Sequence, residues 1–447
     1  MRRAHGPIAV ALVAFVLGAG ALALQPATAG AVRTATTGGT PTTIAVDRVA
    51  FDRSFEVRID RAGAAVHTNS GAQWESPNHD GVTTKNWPIA YNMNSPITVQ
   101  AQFFVSGAVP VGSVTVTGTT TVAGRALTFQ KTGVQLVAGE NLVTGFAPPA
   151  GKTDTLPNLV TQMLLPSNPM TISWVVTTGA KTTIPAGTSR HDLFVLFHGS
   201  GSVFLTVVWH TTHGAAGKNT QADVAAGTWA EFSTGNAPVS FFRQKQLDPV
   251  TGNISNGAQL HYYNPDFVGT AACHATTTEE LLTDAHSIGQ CASWAHLFKD
   301  SLSAEGIPAA VEKVEPGAIH PGATFLLVKN WRLAGCMPKS GRVEYPFELN
   351  QNDIATAEGG GCDGSGLAGQ GDPNPTGWLT QLFVVRYGNA VYDPAYGILQ
   401  DSSATYQQNL NAYATRVVAA SCIGPTPPNP NAPDVYRTFT AACHAGV

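Results

Sequence analysis

Cys291 is the residue of this chain best placed for covalent chemistry. It follows Gly289-Gln290 and precedes Ala292-Ser293-Trp294-Ala295-His296-Leu297-Phe298. Cys291, Ala295, Phe298 and Leu302 recur at helical spacing on one face, which predicts a helix with Cys291 in its first turn. Gly306 supplies a left-handed stop, and Ile307-Pro308 leads into an extended segment. A thiol in a first turn faces unpaired backbone N–H groups and the positive end of the helix dipole. Both favour thiolate, and the same N–H groups can hold an oxyanion. Such a thiol attacks an amide or ester carbonyl. An ordinary buried cysteine, or half of a disulfide, fits the same position.

Other chemistry-bearing patterns are weaker. His210 and His213 are separated by two residues, a spacing a metal can use, but no carboxylate pattern accompanies them. The Gly-rich run over residues 359–371 lacks the Lys-Ser/Thr and the strand-to-helix context of a phosphate loop, and reads as a mobile loop. No metal and no cofactor are expected.

The elements around Cys291 are legible in part. Thr277-Thr278-Glu279-Glu280 is a capping box opening a helix that should end near Ser287-Ile288-Gly289. Residues 222–232 carry Val224, Trp229 and Phe232 roughly on one side, a helical pattern. The run Val203-Phe204-Leu205-Thr206-Val207-Val208-Trp209 is apolar all round and suits a buried strand or a buried helix. Over residues 42–198, short alternating or β-branched runs are separated by Gly, Pro and Asn turns, which predicts an antiparallel β-sandwich. That half holds no cysteine and no obvious cluster of titratable residues; His67, His79 and Asp80 read as surface turn residues.

The 447 residues are enough for two or three cores, and charged residues make up only 12 %. With a net charge of −4 and no long basic run, a nucleic-acid partner is not expected. Arg2 and Arg3 precede an apolar stretch over residues 8–24 and the small residues Ala27-Thr28-Ala29. This is the pattern of a secretory signal cut near Ala29, followed by a disordered leader over residues 30–41. No later segment is long and apolar enough to span a membrane, so the expectation is a secreted protein able to keep disulfides.

Gly-Gln-Cys opening a helix, an aromatic residue three positions on and Gly-Ile-Pro after the helix together resemble the transglutaminase-like superfamily of cysteine acyl-transfer enzymes. The downstream segment Gly388-Asn389-Ala390-Val391-Tyr392-Asp393-Pro394-Ala395-Tyr396-Gly397 carries the second match. The segment over residues 260–282 resembles the lead-in of bacterial members. The likeness covers about residues 202–397. Gly-Gln-Cys and Trp294 also echo papain-like peptidases. The resemblance implies an α+β fold: an N-terminal sandwich over residues 42–200, then a transglutaminase-like domain over residues 201–447 with the Cys helix packed on an antiparallel sheet. It implies a Cys-His-Asp triad acting on protein or peptide amides, with Cys291 as nucleophile, Asp393 orienting the histidine and Gln290 at the oxyanion.

The histidine itself is missing. It belongs on the strand before Asp393, at Thr380-Gln381-Leu382-Phe383-Val384-Val385-Arg386, and no histidine lies between Pro321 and Cys443. The turn at Gly388-Asn389 leaves two registers, with Val384 or Phe383 opposite Asp393. Gln381 is taken as the replacement for the family histidine. General-base help is worth about 10²–10⁴-fold, so the chain is either an enzyme drawing on another base or a catalytically inactive binding protein. His320, after the Cys helix, is the first alternative base; His286 and His261 follow.

The six cysteines all lie in the last two-fifths of the chain. Cys336 with Cys362 would staple an insertion, and Cys422 with Cys443 would tie down the Pro-rich tail, leaving Cys273 over. A Cys273–Cys291 bond would instead abolish nucleophilicity, and spacing alone does not choose between these pairings.

Overall fold

The computed structural model describes residues 41–61, 64–69, 71–76, 85–233, 242–262, 275–319, 321–328, 369–371, 378–423 and 442–445. The signal and leader regions, His79, Asp80, Cys273, His320, Cys336 and Cys362 lie outside them. The fold is mixed α+β, built mainly of antiparallel sheets, with six helices among the described residues.

In the first half, a five-stranded sheet orders Gly139–Val143, Thr98–Ser106, Thr43–Asp52, Trp74–Glu75 and Lys85–Asn86. A four-stranded sheet orders Thr183–His191, Met170–Thr177, Val114–Val122 and Arg125–Val134. Alternation in the sequence becomes alternation in burial: Val99, Ala101, Phe103 and Val105 face inward from one strand, and Met170, Ile172, Trp174 and Val176 from another. The two sheets meet at Trp174, whose ring lies edge-on to Phe103 at 5.6 Å and tilted against Phe146 at 5.5 Å. Gly118 makes room for that ring, since a Cβ there would fall 2.6 Å from it. Two pairings depart from the antiparallel expectation, one of them between Val57–Arg61 and Val203–Phe204. Leu193–Leu196 runs parallel to Ile89–Asn92 with all four residues buried, as expected of a strand covered on both faces.

The ambiguous run after residue 202 is divided. Val203–Phe204 pairs with the strand Val57–Arg61, and helix α1, Leu205–Gly214, begins at once. Helix α1 is covered on most sides, which is why its sequence is apolar all round. Helix α2, Gln221–Ala230, is capped by Thr220, whose side chain accepts from Asp223 N–H. The two helices cross backbone to backbone: a Cβ on Gly227 would lie 2.6 Å from Gly214 O, and one on Gly214 only 2.3 Å from Gly227 O. Alanine for glycine inside a helix normally gains about 1 kcal/mol, whereas forced overpacking costs about 1–3 kcal/mol. We therefore expect Gly227→Ala to lower the melting temperature. A raised Tm would show that the crossing can relax.

The capping box forms as expected and opens α3, Thr278–Thr283, but the helix is shorter than the sequence suggested. Asp284 stops it, its carboxylate accepting from His286 N–H at 2.8 Å and Ile288 N–H at 3.2 Å. The chain then forms a short strand, Ile288–Gly289, parallel to His261–Tyr262. Helix α4, Cys291–Ala304, follows, with Gly306 at φ 73° behind it. A short helix α5, Pro316–Ile319, lies ahead of the strand Phe325–Val328, and α6 spans Tyr406–Val417.

The sheet beside α4 orders Ala310–Val314, Leu382–Tyr387, Ala390–Asp393 and Ile398–Gln400, all antiparallel. A second sheet orders Trp378–Leu379, Phe325–Val328, Val418–Ile423 and Ala442–Ala445, and its backbone register sets Cys422 opposite Cys443. Among the described residues no helix is long and apolar enough to cross a membrane.

Three separate buried acids lie away from Cys291, two in the first half and one just after α4. Asp60 accepts from Thr206 Oγ1 of α1 at 2.9 Å, and Asp192 accepts from Leu165 N–H at 2.6 Å. Glu305, just after α4, accepts from Phe197 N–H at 2.6 Å. In each acid the second oxygen finds no partner among the described residues. Burial pushes all three up to about 7.

Candidate functional site

Cys291 opens α4, as the spacing predicts, and is a free thiol, so it is not bonded to Cys273. Its environment reverses the expected direction of its acidity. The side chain is almost wholly buried, with the residue only 3 % exposed, and desolvation pushes the thiol up to about 12. The negative Asp393 raises it further, and a hydrogen bond from Phe383 N–H lowers it only in part. A helix N-terminus is worth about 0.3–1 kcal/mol to an exposed anion, less than the penalty for burying one. The helix-dipole expectation is therefore corrected: position in the helix favours thiolate, and burial outweighs it.

The sulfur sits against one stretch of backbone. Its S–H donates to Gln381 O at 4.0 Å, and the Phe383 N–H points at it. These two groups bracket Leu382.

The hairpin takes the two-residue register. Tyr387 faces Ala390 and Val385 faces Tyr392 across the Gly388-Asn389 turn, which continues to Val384 opposite Asp393. Alternation then sorts the side chains. Val385 and Tyr392 point to the α4 side, where Tyr392 meets Phe298 at 5.1 Å. Leu382, Val384, Arg386 and Asp393 point to the α6 side, where Arg386 lies over the Tyr406 ring at 4.5 Å. The fully buried Leu382, not Gln381, therefore shares the face of Asp393. Gln381 falls on the opposite face, because a one-residue step along a strand exchanges the two faces.

Asp393 is fully buried and fully engaged. One carboxylate oxygen accepts from Ala395 N–H at 3.0 Å and Tyr396 N–H at 3.2 Å, holding the turn after the strand. The other accepts from the Tyr413 hydroxyl on α6. Burial raises the acid to about 6, against the lowering effect of these three donors. The same burial, together with the negative charge of Asp393, holds the Tyr413 phenol well above its usual range.

Gln370 clamps the same turn from the other side. Its N–H donates to Ala395 O at 2.9 Å, and its side-chain amide donates to Pro394 O at 3.1 Å and Phe232 O at 2.6 Å. Its carbonyl accepts from Tyr262 N–H at 2.6 Å. The 369–371 end of the Gly-rich run is thus pinned in place, a correction to its reading as a mobile loop; the rest lies outside the described residues. Neither Tyr413 nor Gln370 emerged from the sequence. Tyr413 is an unremarkable residue of an amphipathic helix until the tertiary fold brings it to Asp393.

The other expected residues are placed as follows. The backbone N–H of Gln290 donates to Ala275 O at 3.2 Å and is not free to hold an oxyanion. His261 points its Nδ1 at Gly371 O, 2.8 Å away, so that nitrogen carries the proton. His286 is exposed in the turn after α3. Among the described residues, no histidine is a hydrogen-bond partner of Cys291 or Asp393. His210 and His213 both turn Nδ1 to Glu231, at 2.8 Å each, the first buried and the second exposed.

The chain matches no protein-family model and no curated protein.

Proposed function

We propose that this is an exported transglutaminase-like protein whose Cys-His-Asp site has ceased to catalyse, and that it acts by binding a protein or peptide. One observation carries the reading. The carboxylate that should orient a base is spent on Tyr413 and on its own turn, beside a thiol pushed up to about 12. The order of parts supports the family likeness: a cysteine opening a helix, a strand against its sulfur, then a strand ending in Asp393-Pro394.

A working acyltransferase or peptidase is the competing reading. In its favour Asp393 is near enough for its charge to act on the Cys291 thiol. It needs a base from elsewhere, His320 being the sequence candidate.

Competitive labelling with iodoacetamide at pH 7, read by peptide mapping at Cys291, tests the proposal. A thiol at about 12 has roughly 10³-fold less thiolate than free cysteine. Labelling should accordingly trail free cysteine by about 10²-fold or more. Labelling as fast as free cysteine, together with amide or ester turnover that disappears in Cys291→Ala, would overturn the proposal and favour the enzyme.

A further inference from the structure

Asp393 faces α6, and so does the side chain at position 382, two residues along the neighbouring strand from the residue opposite Asp393. The sulfur of Cys291 touches the backbone on both sides of position 382. A side chain with a hydrogen-bonding ring at 382 would thus have the sulfur at its base and the carboxylate on its own face. Leucine supplies no such group. The acceptor oxygen that such a ring would use is already held by a phenol from a different element.

Helix α6 is seated by several polar contacts besides this one. Asn409 donates to Asn389 O at 2.8 Å and to Ser403 O at 3.1 Å, and Arg416 donates to Leu399 O at 3.4 Å. Its apolar side buries Tyr413, Ala414 and Val417. The helix therefore has enough other anchors to stay docked without the phenol hydroxyl. That hydroxyl is a local contact to the site as well as part of the packing.

Resting on the reading of a lapsed site, we infer that Tyr413 is a positioning residue that has taken over Asp393, and that Leu382 marks the position from which the base was lost. The site is then locked twice, from the strand and from α6. Neither change alone re-arms the thiol. An imidazole at 382 must share its acceptor oxygen with the Tyr413 phenol, which competes for it and fixes the carboxylate toward α6, and a carboxylate released from Tyr413 has no imidazole to orient.

The test compares wild type with Leu382→His, Tyr413→Phe and the double variant, together with Gln381→His in the Tyr413→Phe background. The readout is the pH profile of iodoacetamide labelling at Cys291, with a thermal melt for each protein. The double variant should label about 10²-fold faster than wild type at pH 7, with a new inflection in the range where imidazole titrates. Each single variant should gain less than a tenth of that. Equal gain from Leu382→His alone would overturn the role of Tyr413. The gain appearing in the Gln381→His pair, or a folded double variant with no gain, would overturn the role of position 382.

Burying an imidazole at 382 can unfold the protein, so a second measurement stands on Tyr413→Phe alone. That change removes one oxygen from a packed ring. Loss of the donor should move the carboxyl titration of Asp393, followed by carbon NMR, upward from about 6. An unmoved titration would overturn the assignment. Fast labelling of the wild-type thiol would instead defeat the parent reading and leave the Tyr413 contact to be judged by the NMR titration.

Discussion

Asp393→Ala should destabilise the fold by about 3–5 kcal/mol, whether or not any substrate is ever found. The change leaves the Tyr413 hydroxyl and the N–H groups of Ala395 and Tyr396 buried without their acceptor. An unsatisfied buried donor costs about 1–3 kcal/mol, and relief from burying the carboxyl returns only part of that. Asp393→Asn keeps an oxygen for the two N–H groups and turns an amide N–H toward the Tyr413 oxygen, so its loss should be nearer 1 kcal/mol. Urea unfolding followed by fluorescence separates the two, provided the transition stays cooperative. An aspartate kept only to orient a base would behave differently, with Asp393→Ala unfolding at the wild-type midpoint; that result would remove the structural role assigned here.

The second large effect is a loss of stability as pH rises from about 6 to 8. Asp60, Asp192 and Glu305 sit at about 7 in the fold, above their ordinary carboxyl values. A group raised by folding binds its proton more tightly in the native state. Its contribution is complete below the unfolded value and is lost as pH climbs through the folded one. Asp393, at about 6, acts in the same sense slightly earlier. Two histidines oppose this. Burial lowers His191 to about 3 and also lowers His210, so both favour the fold as pH rises toward 6.5. Charged neighbours do not cancel the acids: Arg190 only partly offsets the burial of Asp192, and the hydrogen bonds to Asp60 and Glu305 come from neutral donors. The net loss between pH 6 and 8 should be on the order of 2–3 kcal/mol. Thermal melts across that range in buffers of equal ionic strength provide the check. Asp192→Asn with Glu305→Gln should flatten the profile, because a neutral amide cannot lose a proton. A wild-type protein that is more stable at pH 8 than at pH 6 would contradict the assignment.

The pH effect and the silent thiol have one origin. For Asp60, Asp192, Glu305, Asp393 and Cys291, burial outweighs whatever partners each has and moves the group toward its neutral form. Cys291 is the extreme case. The sequence resemblance implies a nucleophile and its place in α4 favours thiolate, but neither reports how much water remains around the sulfur.

Local pattern was enough for several features of the site. The capping box at Thr277, Cys291 at the head of a helix, the left-handed stop at Gly306 and the tight turn at Gly388-Asn389 all follow from neighbours a few residues apart, where backbone sterics and single hydrogen bonds decide. The strand alternation of the first half was legible for the same reason. The sequence could narrow the hairpin to two registers, but only pairing with both neighbouring strands selects one, and with it Leu382 over Gln381. The divided run at Val203, the parallel strand Leu193–Leu196, the clamp by Gln370, the capture of Asp393 by Tyr413 and the buried acids depend on contacts between segments far apart in the chain. So does the direction of the Cys291 shift. By itself the sequence determined that a cysteine opens this helix. Only the tertiary structure decided whether that residue is charged and what its carboxylate holds, because desolvation and hydrogen bonding across distant elements set both.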